Sequence, residues 1–198
     1  MVREFQSENP SEDDEVQDLH QSVIDAIEGV GRVTRIVRDM LSLARNDTGN
    51  ATNSQVRNER LEIASIIQTC VTMSRPHVKS NCHLEVEESP VPFAMGSKAE
   101  LLQVLLNLVL NAAQAMQDRP KSQNSIVIRT GHDEKQIWID VEDNGPGIPE
   151  GRLERVFEPF YTSKPVGKGS GLGLAVSRSL MDRMNGSLEV SSQLDRGT

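Results

Sequence analysis

Between positions 19 and 44 apolar and small residues recur at alternating steps of four and three: Val23, Ile27, Val30, Thr34, Val37, Leu41 and Ala44, with Ile36 and Met40 widening the stripe. That period places them on one face of a long helix. A lone helix cannot bury such a stripe, so the pattern calls for self-association or docking on another bundle; the plainer alternative is a helix lying on the domain that follows. Gly29 and Gly31 fall inside the stretch, each costing about 1 kcal/mol of helix propensity relative to alanine.

Residues 46–58 are rich in Asn, Thr, Ser and Gly and poor in large apolar side chains, the composition of a linker. A second domain is expected over 59–198. It opens with a short strand and an amphipathic helix over 61–73 that stops around Pro76, followed by strand-like alternation over 82–86. Ser97 and Glu100 form a capping box ahead of Leu101, Leu102, Leu105, Leu106, Leu108, Val109 and Leu110, a helix running to about Gln117. It is too apolar to be solvated on most faces. Residues 125–130 and 136–142 alternate as paired strands around a turn at 132–135, and loop character begins at Asp143. Helix returns after Ser170 to about Met184, and 187–192 reads as one more strand. The pattern predicts an α+β fold, a two-layer sandwich with helices on one face of a mixed sheet.

Composition changes this picture mainly at the N-terminus. The chain has 198 residues, 36% hydrophobic, enough for one core domain and a smaller element. Its formal charge is −8, but residues 1–20 alone carry seven acidic side chains against Arg3, so acidity belongs to the head. Residues 1–18 are expected to be a disordered acidic tail, either solubilising or an interaction segment. No basic stripe accompanies it, which argues against nucleic acid or an anionic membrane as partner. Cys70 and Cys82 make no metal motif and read as reduced thiols. Without a signal peptide or a run of about 18 apolar residues, the expectation is a cytoplasmic chain making no membrane contact.

Three segments carry candidate chemistry. On the leucine-rich helix, Asn107-Leu108-Val109-Leu110-Asn111 sets two carboxamides four residues apart, on one face. Polar groups there need partners, and a carboxamide oxygen is an acceptable ligand for Mg²⁺, an ion that also leans on substrate phosphates; the alternative is structural hydrogen bonding. The second, Asp143-Asn144-Gly145-Pro146-Gly147-Ile148-Pro149, follows a strand: its carboxylate can accept from the exocyclic amine of a base while the glycines admit close backbone approach, although alone it is also a plausible strand-end turn. The third runs from Phe157-Glu158-Pro159-Phe160 through Tyr161, Thr162, Ser163 and Lys164 to Gly167, Lys168, Gly169, Ser170, Gly171, Leu172, Gly173 and Leu174. Its glycines free backbone N–H groups ahead of a helix start, an arrangement suited to phosphates, with Lys164 and Lys168 able to add charge. It is neither a dinucleotide fingerprint nor a P-loop, since no first strand precedes it and no Gly-Lys-Ser/Thr ends it.

In this order the segments resemble the N, G and F/G boxes of the GHKL ATPase superfamily of gyrase, Hsp90-type proteins, histidine kinases and MutL, and most of all the catalytic region of bacterial two-component sensor histidine kinases. The resemblance covers essentially 19–198. It implies the Bergerat-type sandwich, preceded by a helix at 19–45 similar to the second helix of a dimerisation hairpin, with ATP and Mg²⁺ as cofactors. By that likeness Asn111 would coordinate Mg²⁺, Asp143 would bind the adenine amine, and Gly145, Gly147 and Ile148 would shape its pocket. Phe157 and Phe160 would flank a mobile lid. Asn107, Ala115, Thr162, Ser163, Lys164, Gly167, Lys168, Gly169, Ser170, Gly171, Leu172, Gly173 and Leu174 would complete the nucleotide site, with Asn107 and Lys164 in catalytic roles. Asn107 stands where gyrase-like relatives carry a water-activating glutamate; an amide is a poor general base, so transfer to a protein nucleophile is favoured over hydrolysis. Glu100 is expected to act chiefly as a cap.

The sequence departs from the family at the nucleophile. His20, followed by Gln21, lies in the element similar to the second hairpin helix, and His77, His83 and His132 fall within the catalytic domain, so the accepting histidine is expected on another chain or on further sequence. A response regulator is the implied next partner and a homodimer a possible assembly. The family also adds a strand after Gly197-Thr198. Two rival expectations are a non-catalytic nucleotide-binding regulator that docks on a kinase dimer, and a serine kinase of the anti-sigma type, against which the long helix counts.

Overall fold

The computed structural model describes residues 17, 19–23, 29–30, 58–164 and 169–198. It has two units, residues 1–41 and 42–198. In the first, the described residues are helical, and Leu19, Val23 and Val30 are exposed at the four-and-seven spacing of one helix face. The remainder of the predicted stripe, the acidic tail and nearly all of the linker lie outside the described residues.

The second unit runs β1 (Glu59–Leu61), α1 (Ile63–Val78), β2 (His83–Glu87), β3 (Ala94–Gly96), α2 (Lys98–Ala115), β4 (Ser125–His132), β5 (Ile137–Asp143), the single turn α3 (Glu150–Leu153) and α4 (Gly173–Arg183). Strands β1 and β3 form a small antiparallel pair, while β2 pairs parallel and β5 antiparallel with β4 in a mixed sheet of order β2-β4-β5. Strand alternation decides the layers: Ile126, Ile128, Leu84, Val86, Ile139 and Val141 face α1 and α2 in one core, whereas the opposite face carries charge, with Arg129 bridging Glu87 at 2.7 Å and Glu142. The predicted α+β sandwich is the observed fold.

Helix α1 buries Ile63, Ile66, Ile67, Cys70, Ser74 and Val78, a three-and-four spacing. Burial also pushes the Cys70 thiol up to about 11, leaving it an inert core residue. The expected stop around Pro76 is corrected: the helix continues to Val78, with Pro76 inside its last turn. Proline forfeits one helical N–H bond there, but Val78 is only 2% exposed and its carbonyl accepts from the Asn81 and Cys82 amides at 2.9 Å, so core packing and the following turn hold the end.

Helix α2 starts as predicted, the Ser97 hydroxyl accepting from the Glu100 amide at 3.4 Å. The second half of the box differs: the Glu100 carboxylate accepts from Arg183 Nη2 at 2.6 Å and so joins the start of α2 to the end of α4. The helix ends at Ala115, short of Gln117, where buried Met116 caps it. Asn124, 1% exposed, fixes that end: its Nδ2 donates to the carbonyls of Asn81 (2.8 Å), Met116 (2.9 Å) and Arg119 (3.3 Å). Asn124→Ala is expected to lower stability by about 2 kcal/mol in urea denaturation, because carbonyls of this buried junction lose their donor. Aspartate, which has no N–H to offer, should not rescue it.

The strand expected over 187–192 is not formed. Exposed and half-buried side chains do alternate there, but the segment joins no ladder, and the nearest pairing is an isolated bridge between Gln193 and Gly197. Alternation sets which side faces the core; a ladder also needs a neighbouring strand in register, which alternation cannot supply.

Candidate functional site

Asp143 closes β5 and is buried. Its Oδ1 accepts from the Gly145 amide at 2.8 Å, and its backbone is clasped by Thr198, whose carbonyl accepts from the Asp143 amide at 2.8 Å. A Cβ on Gly145 would fall 2.6 Å from that oxygen and 3.2 Å from Met116 Cγ, so glycine keeps open the space beside the carboxylate. Gly147 adopts a left-handed φ of +69°, and a Cβ there would sit 2.2 Å from the Gln193 carbonyl oxygen. The Ile148 amide donates to Ser192 Oγ at 2.7 Å, tying this loop to the 192–198 segment.

Burial raises the Asp143 carboxyl above its ordinary range, against the lowering effect of the Gly145 and Thr198 N–H groups. The folded protein therefore holds a proton to higher pH than the unfolded chain. This carboxyl's contribution to stability is fullest below the ordinary carboxylate value and declines as pH rises through the raised pKa. Binding of a ligand's amine donor here would run the other way, since it would use the carboxylate. Nucleotide affinity measured across pH is expected to fall on acidification at a pH above the usual carboxylate range, and this step should vanish in Asp143→Asn.

Helix α2 passes under the site. Asn107, half-buried, donates from Nδ2 to Ser177 Oγ on α4 at 2.8 Å, and a Cβ on Gly173 would meet its carboxamide at 2.6 Å, so the first turn of α4 rests directly on this side chain. One turn on, Asn111 Oδ1 lies 3.5 Å from Lys164 Nζ, which also donates to Gln114 Oε1 at 2.6 Å. Ala115, at the helix end, is exposed. From Asn107 to Met116 the helix rises about 13 Å, placing a helix N-terminus at one end of a strip and a buried carboxylate at the other.

The remaining predicted residues edge that strip. Phe157 is half-buried with the Arg178 guanidinium 4.4 Å from its ring centroid, while Phe160 is exposed at a φ of +66°. Thr162 Oγ1 accepts from the Lys164 amide at 3.1 Å, and a Cβ on Gly169 would touch both residues; Ser163 is exposed. Gly171 has φ +66° and backs onto the Phe160 backbone. Ser170 Oγ accepts from the Leu172 amide at 3.3 Å, Leu172 is fully buried and Leu174 half-buried. Gly167 and Lys168 lie outside the described residues.

Gln114 and Ser177 were missed by sequence reasoning. Gln114 could have been found, for it follows Asn111 by three residues on the same helix face. Ser177 offered only a small polar side chain in an amphipathic helix.

Fold and site together define a nucleotide-binding α+β domain of ATPase type. Residues 96–198 match the histidine kinase-, DNA gyrase B- and HSP90-like ATPases, and the chain belongs to that family. It is 31% identical to the sensory histidine kinase/phosphatase NtrB of Rhizobium leguminosarum bv. phaseoli, over 91% of this chain and 50% of NtrB. The chain spans half or less of the length of the curated relatives it matches. Full-length ShkA in complex with AMPPNP shares the fold at a TM-score of 0.72 and 23% identity, covering 89% of this chain and 36% of ShkA. Histidine kinase ThkA in complex with the response regulator protein TrrA does so at 0.70 and 19%, covering 96% and 50%. Among the described residues no helix is long and apolar enough to cross a membrane.

Proposed function

We propose that residues 59–198 form the ATP·Mg²⁺-binding catalytic domain of a two-component sensor histidine kinase. It would transfer the γ-phosphoryl group to a histidine outside the given sequence, on a dimerisation hairpin, from which a response-regulator aspartate takes it. The observation that carries this reading is the strip along α2, with the buried Asp143 carboxylate beside Gly145 at one end and a glycine-led helix start at the other, about 13 Å of helix apart.

In this reading Asp143 accepts from the adenine amine, and Gly145 leaves room for the ring. The Gly169–Gly173 backbone and the start of α4 take the phosphates. Asn111 would hold Mg²⁺, whose charge would offset that of the phosphate oxygens. Lys164 stands beside Asn111 and can add positive charge. Asn107, tied to Ser177, positions α4 and supplies no base for water, which favours transfer to a protein nucleophile over hydrolysis. In the transfer the bond from the γ-phosphorus to its bridging oxygen breaks, a phosphorus–nitrogen bond to histidine forms, and ADP leaves.

The test mixes the chain with Mg²⁺, γ-labelled ATP and an intact kinase hairpin whose own catalytic domain is inactive. Acid-labile label on the hairpin, abolished by Asp143→Ala or Asn111→Ala, is the expected result. ATP binding without label would instead select a nucleotide-binding regulator.

A further inference from the structure

Gln114 has no part in the chemistry described above, yet it makes a short polar contact between α2 and the loop that follows Phe160. Its Oε1 accepts from Lys164 Nζ at 2.6 Å, with Asn111 Oδ1 at 3.5 Å from the same ammonium. Gln114, Asn111 and Lys164 are all half-buried, so the contact is shielded from water more than a surface pair would be. Two neutral carboxamide oxygens converging on one cation make a hard-oxygen seat, filled here by the lysine. The loop is shaped to deliver it, since the Lys164 amide is fixed by Thr162 Oγ1 at 3.1 Å.

We propose that Gln114 is a positioning residue that parks the Lys164 ammonium against Asn111 until nucleotide arrives. The lysine then acts as a placeholder for the divalent cation. Entry of the phosphates draws the ammonium off the two oxygens, which frees Asn111 for the cation and brings the lysine to the phosphates already oriented. The seat itself is the contact of Lys164 with Gln114 and Asn111; the hand-over rests on the ATP·Mg²⁺ reading.

Hydrogen exchange of the full chain at the Lys164 amide, which donates to Thr162 Oγ1, tests both parts. In the nucleotide-free protein, Gln114→Leu is expected to speed exchange about fivefold, the loss of one partly shielded charge-assisted hydrogen bond. Lys164→Met should do so at least as strongly, and adding Gln114→Leu to it should change nothing further, because Gln114 acts on the loop through this lysine. With Mg²⁺ and AMPPNP bound, the Gln114→Leu protein should exchange like the wild type, the lysine then being held by phosphates. Wild-type exchange in nucleotide-free Gln114→Leu, or an effect that adds to that of Lys164→Met, overturns the seat. A Gln114→Leu effect equally large with AMPPNP bound overturns the hand-over. Failure of the wild type to bind AMPPNP sinks the functional reading and the hand-over with it, while the nucleotide-free comparison still decides the seat.

Discussion

Replacing Asp143 by asparagine is expected to leave the fold in place and to weaken ATP binding about a hundredfold. Asparagine keeps a carbonyl oxygen for the Gly145 amide, now 2.8 Å from Asp143 Oδ1, so the loop retains its anchor. The other oxygen becomes an NH₂ group, which in the proposed reading would meet the adenine amine donor to donor. A charge-assisted hydrogen bond is lost and a buried donor is left facing another, about 3 kcal/mol together. Stability should not fall at neutral pH, because burial already disfavours the ionised carboxyl at this position. The substitution should also relax the preference for adenine over guanine, whose carbonyl at the corresponding ring position can accept from the new amide. Calorimetric titration with ATP and GTP, beside thermal unfolding of the same samples, checks all three. Retention of ATP affinity within about threefold would remove Asp143 from base recognition.

How far this site could be read in the sequence depended on how locally each contact is made. Asn107 and Asn111 are four residues apart and Ser97 and the Glu100 amide three; such spacings fix a shared helix face and a cap as soon as the element is known, and both were legible, whereas the bond from the Gly145 amide to Asp143 was not foreseen. Contacts that cross the fold were not. Lys164 meets Gln114 over 50 residues and Arg183 meets Glu100 over 83, and no periodicity announces either. Glu100 shows the consequence: its position marks a helix start, as predicted, but its carboxylate answers to a distant arginine and not to the cap. Pro76 errs the other way, a strong local stop signal that core burial of Val78 outweighs. At 187–192 the alternating pattern was read correctly while the pairing it implied was not, since register and neighbours are properties of the whole sheet.

The second large effect is expected from Gly171→Ala. Two backbones meet at this position: Gly171 at φ +66° lies against Phe160, itself at +66°, and a Cβ would fall 2.4 Å from the Phe160 carbonyl carbon, 2.7 Å from its oxygen and 2.8 Å from its Cα. No side-chain rotation relieves an overlap with main chain, so either the Phe160 turn or the lead into α4 has to move. Left-handed strain adds about 1–2 kcal/mol and the steric shift at least as much, giving a loss near 3 kcal/mol in denaturant unfolding. The loop that moves is the one that would hold phosphates, and buried Leu172 ties it to the core, so ATP affinity should drop by more than about tenfold. Gly173→Ala should be milder in stability, since the atoms it meets belong to the Asn107 side chain, which can turn at the expense of its bond to Ser177. Gly151→Ala serves as the control, for a Cβ there meets nothing within 4 Å and alanine is the better helix former, by about 1 kcal/mol at most. If Gly171→Ala unfolds and binds ATP like Gly151→Ala, the close approach of the two loops is not rigid, and the glycine segment loses its claim to be a preformed phosphate seat.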